Sequence, residues 1–237
     1  MVRNRINNIS IHSINQKKQF MRKVIFALFL FVGITSQAQN LQVMYDFGNG
    51  RKNVTSTLEM FKPDKWGDTF FFVDMEFNGG ADKQPSLAYM EIARCLKFWE
   101  APLSVHLEYN GGLLLSGPLG FPINSAYLAG VDYGWHDKSF SKFLNLKLLY
   151  KNIQGIDNAS FQITGVWNLN FLNKKLTLSG FADFWKEKTT YIFIAEPQFW
   201  YNFTENISLG GEIEIGHNFG SVDGFKICPA LGAKWNF

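Results

Sequence analysis

The chain has 237 residues, of which 46% are hydrophobic, 16% aromatic and 18% charged, and its formal net charge is +3. Six bases and no acid precede residue 39, so residues 39–237 carry 17 bases against 20 acids, a net charge of −3. The positive charge of the whole chain therefore belongs to its first residues and gives no argument for nucleic-acid binding.

The N-terminal segment predicts an export signal. Met21 opens MRKVIFALFLFVGITSQAQN, in which two bases precede an apolar run from Val24 to Ile34, and small residues stand before Gln39. This is the layout of a signal peptide, and the apolar run is too short to span a bilayer as a helix. The expected organisation is an N-terminal extension over residues 1–20, a signal peptide over 21–38 and one domain over 39–237.

The remaining chain alternates apolar and polar residues with a period of two, which is the pattern of β-strands. From Phe225 to Phe237, for example, every odd position is apolar, whereas the even positions are polar or small except for Cys228. Twelve such segments predict an all-β fold, an antiparallel transmembrane β-barrel of about twelve strands, because bacterial barrels have even strand numbers. The predicted spans are 40–48, 52–61, 68–77, 86–97, 103–113, 124–135, 140–151, 159–171, 175–186, 190–203, 207–217 and 225–237.

The connections between these segments alternate between shorter turns and longer, glycine-rich loops. This alternation is typical of barrels whose termini lie in the periplasm. The longest connection contains LLLSGPLGFPINS, residues 113–125, which is apolar enough to fold inward as a constriction.

The C-terminus favours a membrane barrel over a soluble β-sandwich. The chain ends on Phe237, which resembles the signal that the barrel-assembly machinery recognises, and an aromatic-rich face recurs on nearly every strand. Such a broad apolar face argues against a sandwich. We therefore expect an outer-membrane monomer that contacts lipid, a small-molecule solute and the assembly machinery, but no nucleic acid. Aromatic residues near strand ends predict interfacial girdles: Tyr133, Tyr150, Phe171, Tyr201, Trp235 and Phe237.

If the apolar face meets lipid, the alternate positions line the lumen and hold more acids than bases. A lumen of this charge disfavours anions, unless its charges only brace a packed interior. Arg94 has the opposite parity to Glu91, which either a strand bulge or a position at the membrane edge would explain. The predicted inward bases are Lys147, Lys151, Lys226 and Lys234. The predicted inward acids are Asp46, Glu59, Asp74, Glu76, Glu91, Glu108, Asp132, Asp183, Glu196, Glu212 and Glu214.

Several aromatic rings also fall on the lumen side. They either fill a narrow barrel or provide platforms on which a flat solute stacks. The rings are Phe70, Phe72, Phe181, Trp185 and Trp200, with Tyr89 and Phe143 less clearly assigned.

The segment GDTFFFVDMEF, from Gly67 to Phe77, resembles an early-strand motif of the nucleoside-specific channel-forming (Tsx-like) outer-membrane family. The resemblance implies a narrow monomeric barrel that passes nucleosides, and its matching positions are Phe70, Phe72, Asp74 and Glu76. The full set of predicted lumen and substrate-binding residues adds Glu91, Glu108, Trp185 and Trp200.

Two other functions compete with a channel. A closed structural or binding barrel would have the same strands. A lipid-modifying enzyme would need Ser104, His106 and Glu108, but alternate residues of one strand lie about 6–7 Å apart, farther than the ~2.6–3.2 Å of a catalytic pair. We expect no enzyme activity, cofactor or metal. Cys95 and Cys228 are interpreted as wall residues, with a disulfide as the alternative.

Overall fold

The computed structural model describes residues 38–78, 84–116, 119–158, 160–220 and 222–237. The predicted N-terminal extension, and the predicted signal peptide apart from Ala38, lie outside these ranges. Thirteen β-strands form within the described residues. They are β1 (Ala38–Asp46), β2 (Val54–Asp64), β3 (Gly67–Phe77), β4 (Pro85–Leu96), β5 (Leu103–Ser116), β6 (Leu119–His136), β7 (Lys142–Ile153), β8 (Ser160–Phe171), β9 (Leu176–Glu187), β10 (Thr190–Ala195), β11 (Gln198–Asn202), β12 (Ile207–His217) and β13 (Phe225–Asn236).

The strands close into an antiparallel barrel. Each strand from β1 to β9 pairs with the next along the chain, and the first strand closes the sheet by pairing with the last, for example Leu41 with Trp235. β10 and β11 both lie between β9 and β12, so together they make one crossing of the wall. The twelve crossings of the described residues confirm the predicted all-β, twelve-stranded barrel. Among the same residues, none belongs to a helix that could span a bilayer.

The tenth crossing, predicted as one strand over 190–203, is interrupted at Glu196 and Pro197. The pairing register continues across the interruption, since β10 and β11 keep one alignment with both β9 and β12. Proline has no backbone N–H to give to a strand ladder, and this explains the break. Gly180 of β9, with a φ of 144°, approaches the carbonyl of Glu196 so closely that a Cβ would collide with it.

The connections lie at two rims of the barrel. The rim that carries Ala38 and Asn236, called here the terminal rim, holds the connections β2–β3, β4–β5, β6–β7, β8–β9 and β11–β12. The opposite rim, called the loop rim, holds the others except β10–β11, which lies within the wall. At the loop rim, the predicted constriction over residues 113–125 is wrong. β5 continues to Ser116 and β6 starts at Leu119, so the segment extends the hairpin, and its Leu114, Leu119 and Phe121 side chains are about half exposed.

The two faces of the wall differ as the alternation predicts. The outer face carries large apolar side chains, and the six predicted girdle aromatics are all among its exposed residues. Inward side chains are shielded because those from different parts of the wall meet in a narrow interior. Leu149, His106 and Trp200 have no exposed surface at all. The interior is therefore where charged and polar groups interact.

Candidate functional site

All eight predicted lumen residues belong to the inner face, and each is at least half shielded from solvent. The structure does not gather them into one cluster. They divide among groups at different depths between the loop rim and the terminal rim, and these groups are held by hydrogen bonds, ring–ring contacts or lysine–ring contacts.

Near the loop rim, Arg51 organises the carboxylates. It follows β1 in the β1–β2 connection, and its guanidinium binds Asp46 at 3.1 Å and Glu214 at 2.7 Å. Glu76 accepts a hydrogen bond from Asn53 at 2.8 Å. An arginine can bridge two carboxylates because its planar head presents several N–H groups in fixed directions. Arg51 therefore adds a cation to this end of the lumen that the parity analysis did not include.

Deeper in the barrel, three aromatic rings form a row along β3 and β4. The ring centroids of Phe70 and Phe72 are 6.2 Å apart, and those of Phe72 and Tyr89 are 6.1 Å apart. The Tyr89 hydroxyl donates a 2.7 Å hydrogen bond to Glu91, and Asp74 accepts one from Thr57 at 2.5 Å. All three rings keep some exposed surface. An aromatic row flanked by carboxylates is thus present on one side of the lumen.

The two predicted tryptophans are packed differently from this row. The ammonium of Lys151 lies 3.9 Å from the ring centroid of Trp185, and that of Lys234 lies 4.4 Å from the centroid of Trp200. Both are cation–π contacts, and each places a lysine against a ring that a stacking solute would otherwise use. Trp200 is fully buried. A solute-binding role for either tryptophan stays a prediction.

A polar cross-link passes through the interior at the level of Trp200. Gln198 of β11 donates hydrogen bonds to Glu212 of β12 at 2.6 Å and to Gln42 of β1 at 3.3 Å, and its carbonyl accepts one from the Trp200 indole. Because β12 and β13 separate β11 from β1 in the wall, the bond to Gln42 is a chord inside the barrel. This chord narrows the lumen.

At the terminal rim, Cys95, His106 and Asp132 come together from β4, β5 and β6. The Sγ of Cys95 is 3.3 Å from Nδ1 of His106 and 3.5 Å from a carboxylate oxygen of Asp132. Nε2 of His106 contacts Glu108 at 2.7 Å. The imidazole is thus engaged by Cys95 and Glu108, and no described hydrogen bond joins it to Ser104, the nucleophile of the enzyme hypothesis.

Sequence reasoning missed two features of this lumen. Arg51 stands outside the alternating segments, so parity could not assign it to the interior. The interpretation of Cys95 as an isolated wall residue is incomplete, because the strand register places it beside His106. Neither cysteine forms a disulfide.

Arg94 binds Asp64 at 2.7 Å at the end of β2. This contact places Arg94 at the membrane edge, which is one of the two explanations that the sequence offered for its parity opposite to Glu91.

The chain resembles solved outer-membrane barrels. It is similar to the NanC porin with a TM-score of 0.56 and 11% identity, over 84% of this chain and 100% of that one. It is similar to outer membrane phospholipase A from Escherichia coli with a TM-score of 0.53 and 13% identity, over 85% and 99% of the two chains. The KdgM porin in complex with disordered oligogalacturonate gives a TM-score of 0.49 at 12% identity, over 84% and 99%.

The likenesses to the NanC porin and to the phospholipase confirm the predicted fold class, and a closed β-barrel is the fold with which proteins cross the bacterial outer membrane. One of the matched barrels is a porin and another is named as a phospholipase, so the shared fold does not decide between transport and catalysis. No curated protein sequence matches the chain. One family model matches residues 38–237, and its description is "Domain of unknown function (DUF5020)".

Proposed function

The chain belongs to the DUF5020 family, and we propose that it is a narrow outer-membrane channel for small solutes, with neutral, planar molecules such as nucleosides as its substrates. The observation that carries the proposal is the row of Phe70, Phe72 and Tyr89 beside Asp74 and Glu91. Rings accept the flat face of a solute, and stacking on a nucleobase contributes about 1–3 kcal/mol per base.

Hydrogen-bonding groups on the facing part of the wall support this choice. Within the described residues, one carboxylate oxygen of Asp183 and the indole N–H of Trp185 are buried without a hydrogen-bond partner. Buried polar atoms are normally satisfied by protein or by water. A planar solute with donors and acceptors on its edge replaces that water and pairs with both atoms while its face rests on a ring.

The charge of the lumen supports a preference for neutral and cationic solutes. Glu91, Glu108 and Asp183 interact electrostatically with one another and with Lys151, and Asp74 lies within electrostatic reach of Glu59 and Glu76. Rings of acidic side chains favour cations and repel anions. Anionic sugars and nucleotides are therefore poor substrates under this proposal.

A closed binding barrel is the second candidate, and the chord from Gln198 to Gln42 favours it. Together with the fully buried Trp200, which packs with Met44 and Ala230, this chord fills the part of the interior beside β11, β12, β13 and β1. A closed barrel of this kind binds a solute from one rim without passing it to the other.

A planar-bilayer experiment on the purified protein distinguishes the two. A channel gives discrete conductance steps, a reversal potential shifted toward cations in a salt gradient, and current interruptions when adenosine or uridine is added. The nucleoside proposal fails if the steps persist without interruption at millimolar nucleoside. The closed barrel is supported if no steps occur in preparations that migrate on gels as folded protein.

A further inference from the structure

We propose that Cys95, His106 and Asp132 form a binding site for a zinc ion on the inner wall near the terminal rim. This site is separate from the aromatic row, and the proposal holds whether or not the barrel conducts. The three side chains supply a thiolate, an imidazole nitrogen and a carboxylate oxygen, which are the ligand types that zinc takes in proteins.

The distances between the ligand atoms match a tetrahedral site. Zinc bonds of about 2.0–2.3 Å place tetrahedral ligands about 3.4–3.6 Å apart. The Sγ of Cys95 is 3.3 Å from Nδ1 of His106 and 3.5 Å from an oxygen of Asp132, and the last two atoms are 3.9 Å apart. Shifts of a few tenths of an ångström in His106 and Asp132 give a regular arrangement, with the ion between the three atoms.

The cross-strand register explains why these residues meet. Cys95 pairs directly with His106 across β4 and β5. Ser104, two residues before His106 on the same face, pairs with Asp132 across β5 and β6. The three side chains therefore project from adjacent strands to one spot of the inner wall, and each is shielded from solvent. This arrangement is rigid, because each ligand stands on a hydrogen-bonded strand.

The atoms that do not face the proposed ion are held by other residues. Nε2 of His106 contacts the Glu108 carboxylate at 2.7 Å, and the second oxygen of Asp132 accepts a 2.9 Å hydrogen bond from Asn145. A histidine that binds a metal almost always gives its other N–H to a carboxylate or carbonyl, and ligating carboxylates are similarly supported. Glu108 thus fixes the tautomer that leaves Nδ1 of His106 free to bind zinc. This support is what separates the cluster from a chance meeting of polar groups.

A fourth ligand would come from a water molecule or, after a side-chain movement, from Asp68 on the next strand. Asp68 of β3 pairs directly with Cys95, and its carboxylate interacts electrostatically with Cys95, Asp132 and His106. Binding requires the Cys95 thiol to release its proton to solvent, as zinc-binding thiols do. The thiolate and imidazole favour zinc over calcium and magnesium, which prefer sites made entirely of oxygen ligands.

Cobalt(II) is the probe for the test, because it occupies zinc sites and reports a thiolate ligand by an intense near-ultraviolet charge-transfer band. Metal-free protein extracted from membranes in detergent is titrated with cobalt and then with zinc. We expect one cobalt per chain, the charge-transfer band, and displacement by one equivalent of zinc. Cys95→Ser removes the band. Cys228→Ser, which changes the buried cysteine near the loop rim, retains it. Glu108→Gln weakens binding about 10–100-fold.

A labelling measurement on the wild-type protein covers the case in which Cys95→Ser fails to fold. Zinc should slow alkylation of Cys95 by a small maleimide, read by mass spectrometry, and leave the rate at Cys228 unchanged. The proposal is overturned if cobalt binds without a thiolate band, if Cys95→Ser binds with wild-type affinity, or if zinc does not change the labelling of Cys95.

Discussion

Gln198 of β11 donates a 3.3 Å hydrogen bond to Gln42 of β1, although two other strands separate them in the wall. Gln42→Ala removes this chord and leaves the bond from Gln198 to Glu212. We expect a higher single-channel conductance, because the interior gains width at the level of the chord, and a loss of about 0.5–1.5 kcal/mol of folding free energy.

The control for this change is Gln162→Ala. Gln162 is also a buried inward glutamine, but it bonds to Lys151 and Thr164 on its own part of the wall. Gln162→Ala should lower the folding free energy by a similar amount, but it should change the single-channel conductance less than Gln42→Ala does. Equal conductance in Gln42→Ala and the wild type would show that the chord does not limit the pore.

Phe72→Ala tests the aromatic row. Removal of the central ring should weaken nucleoside block by about 1–3 kcal/mol, or about 5–150-fold in the blocking concentration. Phe71→Ala is the matched control, because adjacent residues of a strand point to opposite faces and Phe71 points away from the lumen. The measurement is the concentration of adenosine that halves the current. Similar weakening in both variants would place the stacking surface elsewhere.

Ion selectivity should respond to Arg51. Arg51→Gln leaves the carboxylates of Asp46 and Glu214 without their guanidinium partner, so the loop rim becomes more negative and cation preference should rise. Asp74→Asn together with Glu76→Gln should lower it. Reversal potentials in a salt gradient measure both changes. The changes should become smaller as ionic strength exceeds 0.1 M, because the Debye length is then about 10 Å or less and salt screens the lumen charges. A shift of Arg51→Gln toward anions would contradict this assignment of the lumen charge.

The C-terminal aromatic should govern assembly more than stability. Phe237 lies on the outer face, and its backbone N–H bonds to the carbonyl of Gln39, so it helps to close β13 against β1. Phe237→Asp should cost only about 0–1 kcal/mol of folding energy, since charges near the interface are tolerated. Its level in the outer membrane should nevertheless fall strongly. Phe237→Tyr is the control, and wild-type levels of Phe237→Asp would show that the machinery does not read this residue.

The β6–β7 turn should make stability depend on pH. Asp137 accepts hydrogen bonds from the Ser139 and Ser141 hydroxyls and from two backbone N–H groups, which hold the pKa of its carboxyl well below the usual 3.8. A lowered carboxyl pKa adds stability above the unfolded-state value and loses it as pH falls through the folded-state value. Asp137→Ala should therefore unfold at a lower temperature at pH 7, and the difference should narrow below about pH 4. Thermal unfolding of both proteins at pH 7 and below about pH 4 is the measurement, and a difference that stays constant between these pH values would contradict this role of Asp137.

The wall could be predicted from the sequence because alternation is a local property of each strand. β12 has the predicted bounds, and most other strands begin and end within three residues of their predicted bounds, although β6 begins at Leu119 rather than at residue 124. Which inward side chains contact one another was not predictable in this way, because these contacts depend on the register between strands. Cys95, His106 and Asp132 have no recognisable spacing along the chain. Only the pairing register of β4, β5 and β6 brings them together, and the periodicity of each strand does not determine that register.

Pro197 should make the wall open locally more often at the tenth crossing. Its missing N–H leaves a gap in the ladder, although the flanking Glu196 N–H still bonds to Phe181 and the Pro197 carbonyl accepts from Ile213. Backbone amides exchange with solvent deuterium through local opening, and regions with fewer ladder bonds open at lower free energy. The amides of β10 and β11 should therefore exchange before those of β7 and β8, whose ladders are continuous. The tenth crossing should therefore open locally more often than β7 and β8, although all of them belong to the same closed sheet.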